Sequence, residues 1–321
     1  MVFLKNSSPH NNPIKVAILG ARGIGKVHAR IFHSLGAEVY GILGTSIKTA
    51  AETAEDLYAS YGFKPKIFIS LEELLSEPID AVSICTPPHL HFEQILAAFN
   101  KGLPVFCEKP LFWYKNMSLN DAQTKLEQLK SHPGRRFFMN APNAFFLDAI
   151  RDRINEPHKI SSLKFSFYTN GNFKGIDIGI DLFTHGLSIL YKIFGLKKLT
   201  SFVWKATDSQ YICHFAYGNC KVEFDFREDP KGAKLFSLDV DGRIFTRIQE
   251  GIGSTYNLYF LDSRTNEKIK VNDPFNQSIQ TFIEYCKVGS PIAGDQFEEA
   301  EVIMKLMSEN LIINNQVAKT L

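Results

Sequence analysis

The sequence predicts an α/β protein, with a doubly wound Rossmann dinucleotide-binding domain followed by an α+β domain with a large, mainly antiparallel open sheet. Three observations support this prediction. Short apolar runs alternate with helical patterns in the first half, a glycine-rich turn follows the first run, and apolar and polar residues alternate along several segments of the second half. The 321 residues suffice for two domains, predicted as residues 1–143 and 144–321.

The first half repeats a strand followed by a helix. Apolar runs that stop at glycine, proline or polar residues predict the strands, and apolar residues spaced three and four positions apart predict the helices. The predicted strands are 15–19, 38–43, 66–69, 81–85 and 104–107, and the predicted helices are 24–35, 48–61, 71–75, 91–100 and 119–130. This alternation is typical of a parallel sheet with ligand sites at the carboxyl ends of its strands.

The second half has the pattern of strands with one buried face. Residues 163–168, 210–217, 221–226 and 235–240 alternate apolar and polar side chains. Helical spacing predicts one helix over 178–194 and a second, long helix over 298–317. We therefore expect a largely antiparallel sheet in this domain.

Composition excludes several classes of function. Lys and Arg total 36 against 34 Asp and Glu, so a net charge of +2 gives no broad attraction to nucleic acid or an anionic membrane. The five cysteines form no zinc-ligand spacing or disulfide framework. The amino terminus lacks the apolar core of a secretory signal, and no apolar run approaches the ~20 residues of a membrane helix. We expect a cytoplasmic protein without a metal site that binds a small molecule.

A glycine-rich turn, Gly20-Ala21-Arg22-Gly23-Ile24-Gly25, follows the first predicted strand. Glycines here let backbone amides approach a pyrophosphate, whose negative charge the amino terminus of the next helix favours. Gly20 and Gly25 occupy the first and third glycine positions of the dinucleotide-binding fingerprint, but Arg22 stands at the second. The Arg22 guanidinium either covers the phosphates or obstructs them. The alternative is a tight turn that binds no ligand.

The end of the second predicted strand bears on the type of dinucleotide. A carboxylate there would accept hydrogen bonds from a free ribose 2′-hydroxyl, but the segment after Leu43 is Gly-Thr-Ser-Ile-Lys. Thr45, Ser46 and Lys48 suit a 2′-phosphate, because Lys48 can pair with it. The sequence thus favours NADP over NAD, while NAD stays possible. The alternative is that Thr45 and Ser46 only cap the following helix.

Four segments together resemble the Gfo/Idh/MocA family of NAD(P)-dependent oxidoreductases. They are the Gly20–His28 turn and helix, a T-P-x-x-x-H stretch from Thr86 to His91, Glu108-Lys109-Pro110 at the end of a strand, and an Asp181 and His185 pair within a G-x-x-x-D-x-x-x-H-like helix. By this resemblance and the motifs above, the expected cofactor-binding residues are Gly20, Arg22, Gly23, Ile24, Gly25, Thr45, Ser46, Lys48, Thr86, Pro87, His91, Glu108 and Lys109.

The resemblance also implies a reaction: hydride transfer between nicotinamide C4 and a hydroxyl or carbonyl of a sugar, cyclitol or sugar derivative. His185 would be the acid/base, Lys109 would stabilise the developing alkoxide, and Asp181 would orient the imidazole or contact substrate. Asp181 and His185 are four residues apart on a predicted helix and so share a face. The resemblance further implies a homodimer or higher homo-oligomer and, in many relatives, a cis bond between Lys109 and Pro110.

Two features leave an alternative open. Arg22 in the phosphate turn and the missing ribose carboxylate are also compatible with a non-catalytic nucleotide or sugar sensor on the same fold. Relatives often carry a cation near the substrate where this chain has Asn140-Ala141-Pro142-Asn143, so its substrate is expected to differ from the common sugars. His89 and His91 lack a constellation of further ligands, which favours a structural role over a metal site.

Overall fold

The computed structural model describes residues 12–251, 256–288 and 295–312. Their contacts divide the chain into two compact units. The first unit comprises the residues up to Tyr114 together with Lys125–Asn140 and Ser278–Glu298; the second comprises Lys115–Thr124, Ala141–Gln277 and the described residues from Glu299 onward. The domain division at 143/144 stays a prediction, to which the contacts add that Ser278–Glu298 packs with the first unit.

The first unit contains a six-stranded parallel sheet. Its strands are β1 (Lys15–Leu19), β2 (Glu38–Leu43), β3 (Lys66–Phe68), β4 (Ala81–Ile84), β5 (Val105–Glu108) and β6 (Phe137–Asn140). The strand order is β3-β2-β1-β4-β5-β6, and every pairing is parallel. This is the predicted doubly wound arrangement, in which the order reverses between β1 and β4 and so opens a crevice at their carboxyl ends.

Helices connect the strands of this sheet. They are α1 (Ile24–Ser34), α2 (Ile47–Tyr61), α3 (Leu71–Leu75), α4 (Pro88–Asn100) and α5 (Leu119–Lys130), of which α5 contributes residues to both units. A later helix, α7 (Pro274–Val288), adds Phe282 to the same core, where its ring lies 5.2 Å from that of Phe106 and 5.6 Å from that of Phe138. These contacts explain why part of α7 belongs to the first unit.

The second unit is built on an eight-stranded sheet of order β14-β13-β12-β11-β7-β10-β9-β8. Its strands are β7 (Ser162–Thr169), β8 (Leu199–Ala206), β9 (Gln210–Tyr217), β10 (Cys220–Glu228), β11 (Leu235–Val240), β12 (Arg243–Glu250), β13 (Asn257–Asp262) and β14 (Lys268–Val271). Only the β7–β10 pairing is parallel, so the prediction of a mainly antiparallel sheet is confirmed.

One face of this sheet packs against helix α6 (Ile176–Phe194). The sheet side is aromatic: Phe165, Phe224 and Phe226 are fully buried and their rings meet edge to face or tilted. Gly186 allows the close approach, because a Cβ there would lie 2.4 Å from the ring of Phe224. Gly186 thus determines how closely α6 packs against the sheet. The same distance sets the position of His185, the preceding residue of α6.

The remaining elements of the second unit are short helices. Pro142–Ala149, Arg151–Arg153 and Pro157–Lys159 are 3₁₀-helical. The helix predicted over 298–317 is α8 (Phe297–Met307), which continues as a π-helical turn over Ser308–Ile312. Residues 313–317 of that prediction lie outside the described residues.

Two further findings concern the described residues alone. None of their helices combines the length and the hydropathy that a bilayer crossing requires. The five cysteines are free thiols, four of them buried, and nowhere in the described chain do three or more His, Cys, Asp or Glu side chains gather as a metal site would need.

Candidate functional site

The glycine turn lies at the carboxyl end of β1, where the strand order reverses. Gly20 adopts a φ of 84°, and a Cβ there would lie 2.9 Å from the backbone of Cys85 after β4. A Cβ at Gly25 would lie only 2.2 Å from the carbonyl oxygen of Gly20. Both glycines are therefore required for the turn to close.

This turn leaves the amino terminus of α1 open. Gly23 is the N-cap, and no side chain hydrogen-bonds to the first turn, which also lacks acidic residues. Arg22, Gly23 and Ile24 are exposed around it. Free amides and the positive end of the helix dipole suit a pyrophosphate, so the residues fit a dinucleotide here. Arg22 contributes an exposed positive charge beside the turn.

The three residues expected near the adenosine ribose, Thr45, Ser46 and Lys48, follow the carboxyl end of β2. Ser46 is the N-cap of α2, and its Oγ accepts a hydrogen bond of 3.2 Å from the backbone N–H of Thr49. The capping alternative thus holds for Ser46. Thr45 and Lys48 are exposed beside it. A 2′-phosphate at this point would meet one cation, one hydroxyl and no carboxylate.

The segment after β4 is held by a buried histidine. Nδ1 of His91 lies 3.0 Å from the carbonyl oxygen of Pro110, and Nε2 lies 2.7 Å from that of Thr86. Burial lowers the pKa of His91, against the effect of these carbonyls. Thr86 also donates a hydrogen bond of 2.6 Å to Gln94, and Pro87 is the exposed N-cap of α4. His91 thus supports the loop, as a structural role requires.

The end of β5 carries a buried network that ties four elements of the first unit together. Nε2 of His28, on α1, donates to Oε1 of Glu108 at 2.8 Å, and Nδ2 of Asn140, on β6, donates to the same oxygen at 2.6 Å. Nδ1 of His28 lies 2.9 Å from Oγ of Ser83, on β4. The His28 side chain is fully buried and that of Glu108 is 12% exposed.

The network favours the charged forms of both partners. Burial alone would lower the pKa of His28, but the interactions with Cys85 and Glu108 outweigh it and raise this pKa to about 10. Burial likewise opposes ionisation of Glu108, whose pKa is nevertheless lowered by His28, Asn140 and the charge of Lys109. The pair is therefore a buried imidazolium and carboxylate near neutral pH.

Lys109 follows Glu108 directly and is half-buried at the same carboxyl edge of the sheet. Its peptide bond with Pro110 is cis, as the resemblance implied. Because His28 and Asn140 hold the Glu108 side chain, the adjoining backbone that carries Lys109 is held too. An ammonium group in such a half-buried position can stabilise a developing oxyanion.

The second unit holds the other two expected catalytic residues. Asp181 and His185 both lie on α6, one turn apart on the same face. His185 is 9% exposed and its ring meets that of Phe167 edge to face at 5.2 Å, whereas Asp181 is half-buried. This spacing is compatible with the predicted acid/base pair, whose role stays a prediction.

Sequence analysis missed the role of His28. The signal was present, since this histidine falls on the face of the first helical pattern that also carries Ile31, and a buried imidazole requires partners. The identity of those partners was not predictable, because Ser83, Glu108 and Asn140 are 55, 80 and 112 positions away.

Comparison of the sequence with protein families gives a match over residues 14–140 to the Gfo/Idh/MocA model, described as an oxidoreductase family with an NAD-binding Rossmann fold. Among curated relatives, a 4-carboxy-2-hydroxymuconate-6-semialdehyde dehydrogenase of Sphingobium sp. is 34% identical over 30% of this chain and 30% of its own length. An inositol 2-dehydrogenase of Pseudomonas syringae pv. syringae is 31% identical over 30% of this chain and 29% of its own length. The chain thus spans less than a third of the curated relatives it matches.

Solved structures extend the likeness of fold to most of the chain. A UDP-N-acetylglucosamine 3-dehydrogenase from Acidithiobacillus ferrooxidans superposes with a TM-score of 0.70 at 16% identity, covering 92% of this chain and 96% of that one. At this identity the likeness concerns the fold alone. Residues 14–140 thus resemble the NAD-binding Rossmann domain of the Gfo/Idh/MocA oxidoreductase family, in agreement with the doubly wound sheet of the first unit.

Proposed function

We propose that this protein is an NADP-dependent oxidoreductase that transfers a hydride between nicotinamide C4 and a hydroxyl or carbonyl carbon of a sugar, cyclitol or sugar derivative. The observation that carries the proposal is the open turn from Gly20 to Gly25 at the reversal of the sheet, with Lys109 at the same carboxyl edge. The matched family and its inositol 2-dehydrogenase member support the same class of reaction.

The first unit would hold the dinucleotide. The amides of Gly23 and Ile24 would face the pyrophosphate, with Gly20 and Gly25 closing the turn and Arg22 adding its charge from solvent. Lys48 and Thr45 would bind the 2′-phosphate next to the α2 cap. Thr86 and Pro87, held by His91, would line the reversal point, and Glu108 would hold Lys109 in place. The bound nicotinamide supplies the hydride acceptor or donor.

The chain's own residues would move the proton. In the alcohol-oxidising direction, His185 takes the hydroxyl proton at its free-base nitrogen, and in the reverse direction its imidazolium returns it. Asp181, one turn earlier on α6, orients the imidazole or contacts the substrate. Lys109 stabilises negative charge on the reacting oxygen.

A turnover experiment tests this assignment. Wild type, His185→Asn and Lys109→Met are assayed with NADP⁺ against myo-inositol and a panel of hexoses, and NADPH binding is followed by nicotinamide fluorescence. We expect kcat of each variant to fall by about 10²–10⁴-fold, as loss of a general acid/base does, and the NADPH affinity of His185→Asn to stay within about threefold of wild type. Unchanged turnover in His185→Asn would refute its role as the acid/base.

A non-catalytic sensor is the second candidate. The observation that favours it is Arg22, exposed where the dinucleotide fingerprint has its second glycine. A sensor would bind nucleotide or sugar in wild type and in His185→Asn alike, and neither protein would turn over any substrate in the panel. Measurable turnover by wild type excludes this candidate.

We also propose a cytoplasmic homodimer formed through the sheet face opposite α6. That face carries aliphatic and polar side chains that are half-exposed or exposed, such as Ile212 and His214 on β9 and Ile244 on β12. Free thiols at all five cysteines suit a reducing compartment. Light scattering should give twice the mass of the chain, and Ile244→Glu should shift it toward the monomer.

A further inference from the structure

Arg247 on β12 is a half-buried cation among aromatic rings of the second unit. Its guanidinium carbon lies 5.2 Å from the ring centroid of Phe236 and 5.8 Å from that of Phe146. Burial lowers the pKa of Arg247, and the nearby Tyr256 opposes this. Removing a guanidinium from water is unfavourable unless a counter-charge or hydrogen bonds compensate.

The second unit provides carboxylate partners to other arginines but none to this one. Arg243 pairs with Asp262, Arg153 with Glu267 at 2.8 Å, and Arg227 with Asp225 at 3.3 Å. Within residues 12–251, 256–288 and 295–312, no carboxylate lies within ion-pair distance of Arg247. Ring faces offset part of the desolvation cost, and the guanidinium edge remains available to an anion.

A second unpartnered polar group lies in the same region. Asn143 is 5% exposed, and its buried Nδ2 has no hydrogen-bond partner. Asn143 and Phe146 are three residues apart in the 3₁₀-helix Pro142–Ala149, so their side chains eclipse on one face. The Phe146 ring lies 5.8 Å from the guanidinium carbon of Arg247, so Asn143 shares the helix face that Arg247 meets.

Ring contacts connect this region to His185. The His185 ring lies 5.2 Å from that of Phe167, and Phe167 lies 5.8 Å from Phe236, its direct partner across the β7–β11 pairing. Phe236 in turn lies 5.2 Å from the Arg247 guanidinium carbon. Three consecutive contacts, each between 5.2 and 5.8 Å, therefore connect the imidazole to the guanidinium along one sheet face.

We propose that Arg247 and Asn143 bind an anionic group of the substrate, a carboxylate or a phosphate, while its reacting carbon lies at His185. This inference rests on the proposed function and specifies its substrate class as an acidic sugar or cyclitol derivative. Arg247 presents a planar fork of donors, which matches two oxygens of either anion. Nδ2 of Asn143 adds a neutral donor.

Isothermal titration with three matched probes tests the proposal. Glucose, glucuronate and glucose 6-phosphate, each with NADP⁺ present, differ only at C6. We expect at least one anion to bind tenfold or more tightly than glucose, and the tighter anion identifies carboxylate or phosphate as the recognised group. In Arg247→Met this preference should fall at least tenfold. In Arg264→Met, which removes an exposed arginine of the same unit, it should stay unchanged.

Two results would overturn the proposal: neither anion binding more tightly than glucose, or equal anion affinity in wild type and Arg247→Met. Circular dichroism checks the fold, and should Arg247→Met not fold, Arg247→Lys takes its place with an expected loss of at least threefold, because Lys lacks the fork. NADPH fluorescence on the same samples distinguishes failure of the anion-site proposal from failure of the proposed function. Normal NADPH binding without anion preference refutes only the anion site, whereas absence of NADPH binding refutes the proposed function.

Discussion

At the scale of single residues, the most constrained feature is the His28–Glu108 pair. Its carboxylate accepts hydrogen bonds from His28 and Asn140, and both side chains are withdrawn from water. Removing one member of a buried ion pair leaves the other charge without compensation. Replacing one member should therefore destabilise the protein. Replacing both members together should change the stability less, because no buried charge is left unpaired.

We expect His28→Gln to lower the free energy of unfolding by about 3 kcal/mol, within the range for a broken buried pair. Denaturant titration at pH 7 measures this value. His28→Gln/Glu108→Gln is the control, and it should recover part of the loss because it leaves no buried charge. A double variant less stable than His28→Gln would contradict the ion-pair account.

The same pair gives a pH dependence. The folded pKa of His28, about 10, lies above its ordinary 6.5, so its contribution is fully present below pH 6.5 and is lost as the pH rises toward 10. The pKa of Glu108 is lowered, so its contribution is lost when the pH falls below the ordinary carboxyl range. Wild-type melting temperature should decline between pH 7 and 10 more than that of His28→Gln, and parallel declines would contradict this.

Glu299 on α8 is a carboxyl group whose pKa is raised, whereas that of Glu108 is lowered. Burial raises its pKa to about 7, against the charge of Lys192. A carboxyl with a raised folded pKa favours folding below pH 4.5 and loses that contribution as the pH rises through 7. Glu299→Gln should therefore be about 1–2 kcal/mol more stable than wild type at pH 8 and similar at pH 4.5. Equal stability at pH 8 would show that the carboxylate is compensated.

At the scale of elements, the approach of α6 to its sheet depends on small residues. A Cβ at Gly186 would lie 2.4 Å from the fully buried Phe224, and one at Gly179 would lie 2.9 Å from Tyr211. We expect Gly186→Ala to destabilise the protein by about 1–3 kcal/mol through overpacking, and Gly179→Ala by less. Thermal unfolding measures both. A stabilised Gly186→Ala would mean that the helix shifts without cost.

The glycine turn gives the corresponding prediction in the first unit. In Gly25→Ala the new Cβ would meet the carbonyl oxygen of Gly20 at 2.2 Å, so the turn must open and we expect NADPH affinity to fall at least tenfold. The matched control is Gly36→Ala, which has a φ of 83° and open space around its Cβ. That variant should lose stability through backbone strain and keep NADPH affinity. Equal affinities in both variants would contradict a role of the turn in binding.

Sequence patterns predicted most elements, and the exceptions have physical causes. Strands β9 and β11 match their predicted bounds, because each alternates apolar and polar residues over its whole length. Strands β6, β8, β12, β13 and β14 were not predicted; in β12, Arg243 and Arg247 interrupt the apolar pattern on the side of the buried Phe245. The motif residues at the ends of β1, β4 and β5 were found because each motif is local in sequence.

At the scale of the whole molecule, the residues that sequence analysis missed are those defined by distant contacts. His28 hydrogen-bonds to Glu108, and Arg247 contacts Phe146 and Phe236. All of these partners are distant in sequence. The first unit also takes Ser278–Glu298 from far along the chain, which no local pattern indicated. Local motifs thus predicted a nucleotide-binding fold and a class of reaction, whereas the surroundings of His28 and Arg247 depend on packing between distant segments.

The most direct test of the central claim is a titration of wild type and Lys48→Ala with NADPH and with NADH, followed by nicotinamide fluorescence. The account predicts that wild type binds NADPH more tightly than NADH, and that Lys48→Ala loses NADPH affinity while NADH affinity is unchanged, since only NADPH carries the 2′-phosphate. Tighter binding of NADH would contradict the assignment of NADP as cofactor. It would not contradict the proposed hydride transfer. No binding of either dinucleotide would contradict the account as a whole.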